Sequence, residues 1–279
     1  MLRKIVLTGA AGALGSALRE PLSRMAEALT SVDLAPAPSP GPANESWVQA
    51  DCAEMEAMAP LMEGADTVVH FAAIPDERPF EELLRPNFVA SYVVWEAAHR
   101  AGARRVVYAS SVHAVGMWET NAGIGPDAAH RPDTFYGLSK CFSEDLARLY
   151  WEKRGLEAVC LRIFSATEEP GNARALGTWL SRGDLVHLVE RAVDTPVTGF
   201  CVVHGISAND RAPVSNAPAA FLGYRPRDNA EDWAPRLLSG PRPDPADPAH
   251  SRLGGPFAAI PLGESGVAAI ARLSAPDGG

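Results

Sequence analysis

A chain of 279 residues with 47% hydrophobic side chains is long enough to bury a sizeable core and has the composition of a globular protein. Its formal charge of −9 gives no electrostatic basis for binding nucleic acid or an anionic membrane, and no apolar run reaches the ~18 residues of a membrane span. Cys52, Cys141, Cys160 and Cys201 are scattered without metal-ligand spacing, and no basic, apolar leader is present, so a metal-free protein of the reducing cytoplasm is expected.

Lys4-Ile5-Val6-Leu7-Thr8 is a short apolar run, as expected of a buried parallel strand. It runs into Gly9-Ala10-Ala11-Gly12-Ala13-Leu14-Gly15, after which Leu14, Ala17, Leu18, Leu22 and Met25 recur at helical spacing. In a strand–glycine turn–helix, Gly9 permits the tight turn, Gly12 the approach of a pyrophosphate, and Gly15 close packing of helix on sheet. The helix N-terminus adds free N–H groups and a positive dipole end. The glycines also fit a plain tight turn in an alanine-rich segment; the flanking strand and helix favour the nucleotide reading. A second strand at residues 29–32 ends in Asp33, where a carboxylate accepts hydrogen bonds from ribose hydroxyls and repels a 2′-phosphate. No Arg adjoins it, so NAD is expected rather than NADP.

Residues 36–42 contain four prolines and form a loop. Residues 47–50 read as a third strand ending at Asp51, which with Cys52 is either an adenine contact or a helix N-cap. Residues 53–62 are helical. Residues 67–71 form a fourth strand running from Phe71 into Ala72 and Ala73, small enough for a cofactor to lie across the strand end. A long helical region spans 79–102. Residues 105–109 form a strand that delivers Ser110 and Ser111; a helix around Tyr136 runs to about residue 153, and residues 158–163 form a strand ending at Ile163. This alternation predicts an α/β doubly wound parallel sheet of the Rossmann type, with ligands beyond the C-terminal strand ends. Gly9, Asp33, Ala72 and Ser111 all fall at that edge. A helix at 184–193 and a strand at 200–205 follow. The expected organisation is a mainly NAD-binding part over 1–163, a substrate-binding region over 164–240 interleaved with the last sheet elements, and a Pro/Ala/Gly-rich tail over 241–279 that drapes over the body or meets a neighbouring subunit.

Tyr136 and Lys140 are four residues apart, so they project from one helix face. A phenol with an ordinary pKa near ~10 is a poor base at neutral pH, and a nearby ammonium favours the phenolate. The pair is suited to taking the proton of an alcohol as its hydride leaves. The glycine-rich start, Ser111 at a strand end and Tyr136-x-x-x-Lys140 together resemble the extended short-chain dehydrogenase/reductase family. That resemblance implies Tyr136 as acid/base, Lys140 as ribose ligand and modulator of the phenol, and Ser111 as partner of the reacting oxygen.

Several segments narrow the resemblance to bacterial uronate dehydrogenases: Ala109-Ser110-Ser111-Val112-His113-Ala114-Val115-Gly116, Glu169-Pro170-Gly171-Asn172-Ala173-Arg174, Ser207-Ala208-Asn209-Asp210 and Gly254-Gly255-Pro256-Phe257. It covers nearly the whole chain. It implies NAD-dependent oxidation at C1 of a hexuronic acid to the aldarolactone. The implied cofactor contacts are Gly9, Ala11, Gly12, Ala13, Leu14, Gly15, Asp33, Asp51, Cys52, Phe71, Ala72, Ala73, Tyr136, Lys140 and Ile163. The implied substrate contacts are Pro75, Ser111, Val112, His113, Tyr136, Ser165 and Arg174, with Arg174 gripping the carboxylate. A guanidinium suits that task by two parallel hydrogen bonds, although from the residues alone a surface salt bridge is the plainer reading of Arg174. His113 reads equally as a substrate contact or a packed loop histidine.

The chain departs from the family pattern at Pro75 and Val112, where the family has Ser and Asn, at Phe164 and Ala173, and over Arg211-Ala212-Pro213. The redox core is therefore intact and the pocket altered, so a less hydroxylated or differently shaped sugar acid is an expected substrate. An NAD-retaining sugar epimerase and a non-catalytic NAD-binding regulator are the rival readings. A homo-oligomer is expected on general grounds.

Overall fold

The structure is a computed structural model and describes residues 1–239 and 244–274; the expected tail boundary at residue 241 and residues 275–279 lie outside it. β1 (Leu2–Thr8), α1 (Gly15–Ser23), β2 (Ala26–Asp33), β3 (Glu45–Gln49), α2 (Met55–Met62) and β4 (Thr67–His70) build the first half. After α3 (Phe80–Leu83) and a π-turn (Leu84–Val89) come α4 (Ala90–Arg100), β5 (Arg105–Ser111), α5 (Phe135–Arg154) and β6 (Glu157–Ile163). A small pair, β7 (Ser165–Ala166) and β8 (Trp179–Leu180), flanks α6 (Ala175–Thr178) and is followed by α7 (Arg182–Asp194) and β9 (Phe200–Gly205). Three short helices close the chain: α8 (Ala234–Leu237), α9 (Pro248–Ser251) and α10 (Gly266–Ser274).

The main sheet is parallel throughout, in the order β3-β2-β1-β4-β5-β6-β9, with the strand order reversing between β1 and β4. Alternate strand residues feed two cores. Ile5, Leu7, Leu29, Val69, Val107 and Leu161 face α1 and α7, whereas Val6, Val32, Val68, Val106, Tyr108 and Cys160 face α2, α4 and α5. The fold is the expected doubly wound sheet. The continuous helix expected over 79–102 is instead two α-helices joined by the π-turn. Pro86 lies in that turn, where a ring without an N–H cannot continue an α-helical ladder. The widened turn carries buried Asn87, whose side chain bonds both Ile74 N and O (2.9 and 3.1 Å) and the Ser139 hydroxyl (3.2 Å). It thus ties the loop after β4 to the second turn of α5.

Candidate active site

At the reversal of strand order lies a cleft of ≈ 380 Å³ lined by Gly9, Ala11, Gly12, Asp33, Asp51, Cys52, Phe71, Ala72 and Ala73, together with Leu34, Ala35, Ala50, Ile74, Pro86 and Ala90. Gly9 adopts a positive φ of 73°, and a Cβ there would lie 2.6 Å from Ala72 N. Gly15 is off the cleft wall: its Cα packs against the Gly9 carbonyl, where a Cβ would lie 2.0 Å from that oxygen. Asp33 accepts hydrogen bonds from Ala11 N (2.9 Å) and Ala35 N (3.0 Å), so its carboxylate is fixed at the cleft rim. The N–H groups of Ala13 and Leu14 meet no acceptor among the described residues, which leaves them for phosphate oxygens. Asp51 closes a turn ahead of α2, accepting from Ala53 N (2.8 Å), and pairs with Arg85 (2.9 Å); it is not the N-cap of α2, a position held by Glu54. Ile163 is buried at the end of β6, outside the cleft lining. These groups fit a dinucleotide: a carboxylate for the ribose, free N–H groups for the pyrophosphate and an apolar floor.

Below the cleft, β5 and α5 bring Ser111, Tyr136 and Lys140 together. Thr134 caps α5 by accepting from Gly137 N (2.9 Å), and the fully buried Glu77 carboxylate accepts from Tyr136 N (2.7 Å). Lys140 donates to Ala109 O (2.9 Å) and lies 4.9 and 5.4 Å from the ring centres of Tyr108 and Tyr136. Desolvation acts on both members of the Tyr136–Lys140 pair. Burial pushes the Tyr136 phenol up to about 12, opposed by a hydrogen bond with Ser111. Burial likewise pulls the Lys140 ammonium down to about 7, opposed by Glu144 one turn away. Both groups are desolvated, and the ammonium faces the ring rather than the phenol oxygen. Glu144 itself is gripped by Arg162 (2.8 Å), His130 (2.8 Å) and Ser110 (2.5 Å), which ties the loop before α5 to the sheet.

Across the site, Arg174 precedes α6. It donates to the Ser165 hydroxyl (3.1 Å) and the Leu253 carbonyl, and no carboxylate lies within ion-pair distance among the described residues, against the salt-bridge reading. Its Nε is buried without a partner. Burial lowers the guanidinium to about 10, opposed by Asp133. Val112 and Phe164 do not point polar groups anywhere: they pack with Val115, Ile124 and Leu253 as an apolar cluster. Pro75 is exposed and Ala173 is half-buried. His113 is held by Asp133 (2.8 Å), stacks on Phe257 (centroids 4.1 Å apart) and meets the Tyr136 ring edge at 5.6 Å.

Leu253, Asp133, Asp76 and Glu77 carry no periodic or spacing signal, and Phe257 enters the sequence reading only within the segment Gly254-Gly255-Pro256-Phe257, with no role attached. The segment that drapes over the body is in fact a wall of the site. Glu77 accepts from Gly263 N (2.9 Å) as well as from Tyr136 N, while Asp76 accepts from Ser265 Oγ (2.6 Å) and Val267 N (3.1 Å). Among the described residues no group of side chains is arranged to hold a metal ion, and no helix is long and apolar enough to cross a membrane.

Residues 5–175 match the NAD dependent epimerase/dehydratase family. The chain is 42% identical over 256 residues to uronate dehydrogenase of Pseudomonas putida, covering 91% of this chain and 95% of that protein. It is 43% identical over 262 residues to uronate dehydrogenase of Agrobacterium fabrum, covering 94% and 98%. A crystal structure of uronate dehydrogenase from Agrobacterium tumefaciens, a mutant complexed with NAD, superposes with a TM-score of 0.88 at 43% identity over 94% of this chain and 98% of that one.

Proposed function

The chain belongs to the NAD dependent epimerase/dehydratase family, and from that premise we propose that it oxidises C1 of a hexuronic acid to the aldarolactone, using NAD. The observation that carries this reading is the presence, beside the redox pair Ser111 and Tyr136, of a buried Arg174 that makes no ion pair among the described residues and is held by Ser165 and the Leu253 carbonyl. An alcohol to be oxidised needs a hydroxyl partner and a proton acceptor. A sugar acid needs a fixed guanidinium for its carboxylate. Bound NAD supplies the hydride acceptor. Ser111 orients the C1 hydroxyl, Tyr136 takes its proton, and Lys140, anchored on Ala109 O, places a positive charge beside the ring. Asp33 and the glycine turn bind the adenosine half. Val112 carries no hydrogen-bonding group where the family pattern has Asn, so the preferred uronate is one that bears no hydroxyl needing a donor there.

Purified protein offered glucuronate, galacturonate, deoxy-uronates and neutral aldoses with NAD is expected to form NADH with uronates only. NADH formation only with neutral aldoses would remove the carboxylate reading. Silence with all of them, alongside NAD retained through purification, would favour an epimerase.

Asp33 also yields a direct expectation. Replacing Asp33 with Ala should weaken NAD binding by about 10- to 100-fold, the worth of hydrogen bonds to a charged group, and narrow the gap to NADP. Fluorescence titration with both dinucleotides reads this; an unchanged NAD preference would move selectivity elsewhere.

A further inference from the structure

We propose that Asp133 is a positioning residue that fixes the tautomer of His113, so that His113 Nε2 presents a lone pair to the substrate and selects for a hydroxyl there. The Asp133 side chain is wholly buried, and its Oδ2 lies 2.8 Å from His113 Nδ1. An ionised carboxylate only accepts, so Nδ1 carries the proton and Nε2 of the neutral ring is left as an acceptor. The other carboxylate oxygen accepts from the Thr134 hydroxyl (2.9 Å), which holds the group in place. No hydrogen bond from the described residues reaches Nε2, and that atom is not among the buried, unpartnered ones. The ring is packed between Phe257 and Tyr136, and so cannot turn about its Cβ–Cγ bond, which would put Cδ2 in place of Nδ1, without breaking the stack.

The fold makes room for this carboxylate from separate segments. A Cβ at Gly116 would fall 1.9 Å from Asp133 Oδ2, and one at Gly254 would fall 1.7 Å from it. Gly116 follows β5 and Gly254 belongs to the segment walling the site, and the two are joined by Gly254 N donating to Gly116 O (2.9 Å). A carboxylate serving only to cap α5 would not need to face His113, since Thr134 and Glu77 already accept from the first N–H groups.

The inference rests on the proposed substrate class for its kinetic arm only. The first arm is imidazole ¹⁵N NMR at neutral pH, with the His113 signals identified by their loss in His113→Asn. The parent protein is expected to show protonated Nδ1 and unprotonated Nε2, and Asp133→Asn to shift toward the other tautomer. A parent His113 protonated at Nε2 alone overturns the proposal, whatever the enzyme oxidises. In the second arm, Asp133→Asn should raise KM by about tenfold for a fully hydroxylated uronate, with kcat and NAD binding little changed. One deoxy-uronate of a 2-, 3- and 4-deoxy panel should escape that penalty. An equal penalty on every member of the panel, or none, overturns the selection role. A panel on which the parent protein is inactive counts against the uronate reading and leaves the NMR arm to decide the tautomer.

Discussion

Replacing Tyr136 with Phe is expected to cut turnover by roughly 10²–10⁴-fold while NAD binding stays close to that of the parent. The ring is retained, and with it the contacts to His113 and Phe257 and the backbone bond to Glu77, so only the phenol oxygen is lost. Because burial raises the phenol to about 12, its ionised fraction grows as pH rises through the alkaline range, and the oxidation rate should climb with it. Tyr136→Phe should flatten that climb. Steady-state rates across pH, together with a cofactor titration, measure both effects; substantial turnover by the variant would remove Tyr136 as proton acceptor.

The second large effect is expected at Arg174. Its guanidinium is oriented by Ser165 and the Leu253 carbonyl and lacks a carboxylate partner among the described residues. Removing one member of a buried, hydrogen-bonded charge pair costs about 2–5 kcal/mol, roughly 30- to 4,000-fold in affinity. Arg174→Ala should therefore raise the substrate KM by a factor in that range and change kcat far less. Arg174→Lys should recover only part of the loss, because an ammonium cannot make two parallel bonds to a carboxylate. A KM unchanged in Arg174→Ala would mean that the acid group is held elsewhere. The same variant loses the bond to Leu253 O, so a thermal melt beside the kinetics separates loss of substrate grip from loss of the wall.

The layered sheet was legible because each strand is a short apolar run between turn residues, and β9 falls at residues 200–205 as its pattern implied. The cofactor cleft was legible for a related reason: Gly9, Asp33 and Ala72 each close a strand, so a local pattern carries a spatial meaning. What failed to show was whatever depends on contact between distant segments. Pro86 interrupts a region whose apolar spacing reads as one helix, and the break decides where Asn87 points. Asp133 looks like any loop aspartate until Gly116 and Gly254 close around it. The spacing shows that Lys140 shares a helix face with Tyr136, whereas its burial depends on the packing of distant segments. Phe257 lies in a stretch of Gly, Pro and Ala, and nothing local announces that it stacks on His113.

The shared carboxylate of Glu77 has a consequence for biosynthesis. It joins the first turn of α5 to Gly263, which lies 186 positions after Glu77 itself. A chain that has left the ribosome only as far as β9 owns every strand of the main sheet and the whole lining of the dinucleotide cleft. It has no partner yet for one oxygen of Glu77, no aromatic face for His113 and no Leu253 carbonyl for Arg174. Such a nascent chain is expected to hold cofactor before it can turn over the proposed sugar acid, with activity appearing only once residues 253–267 have been made and have folded back across two-thirds of the sequence.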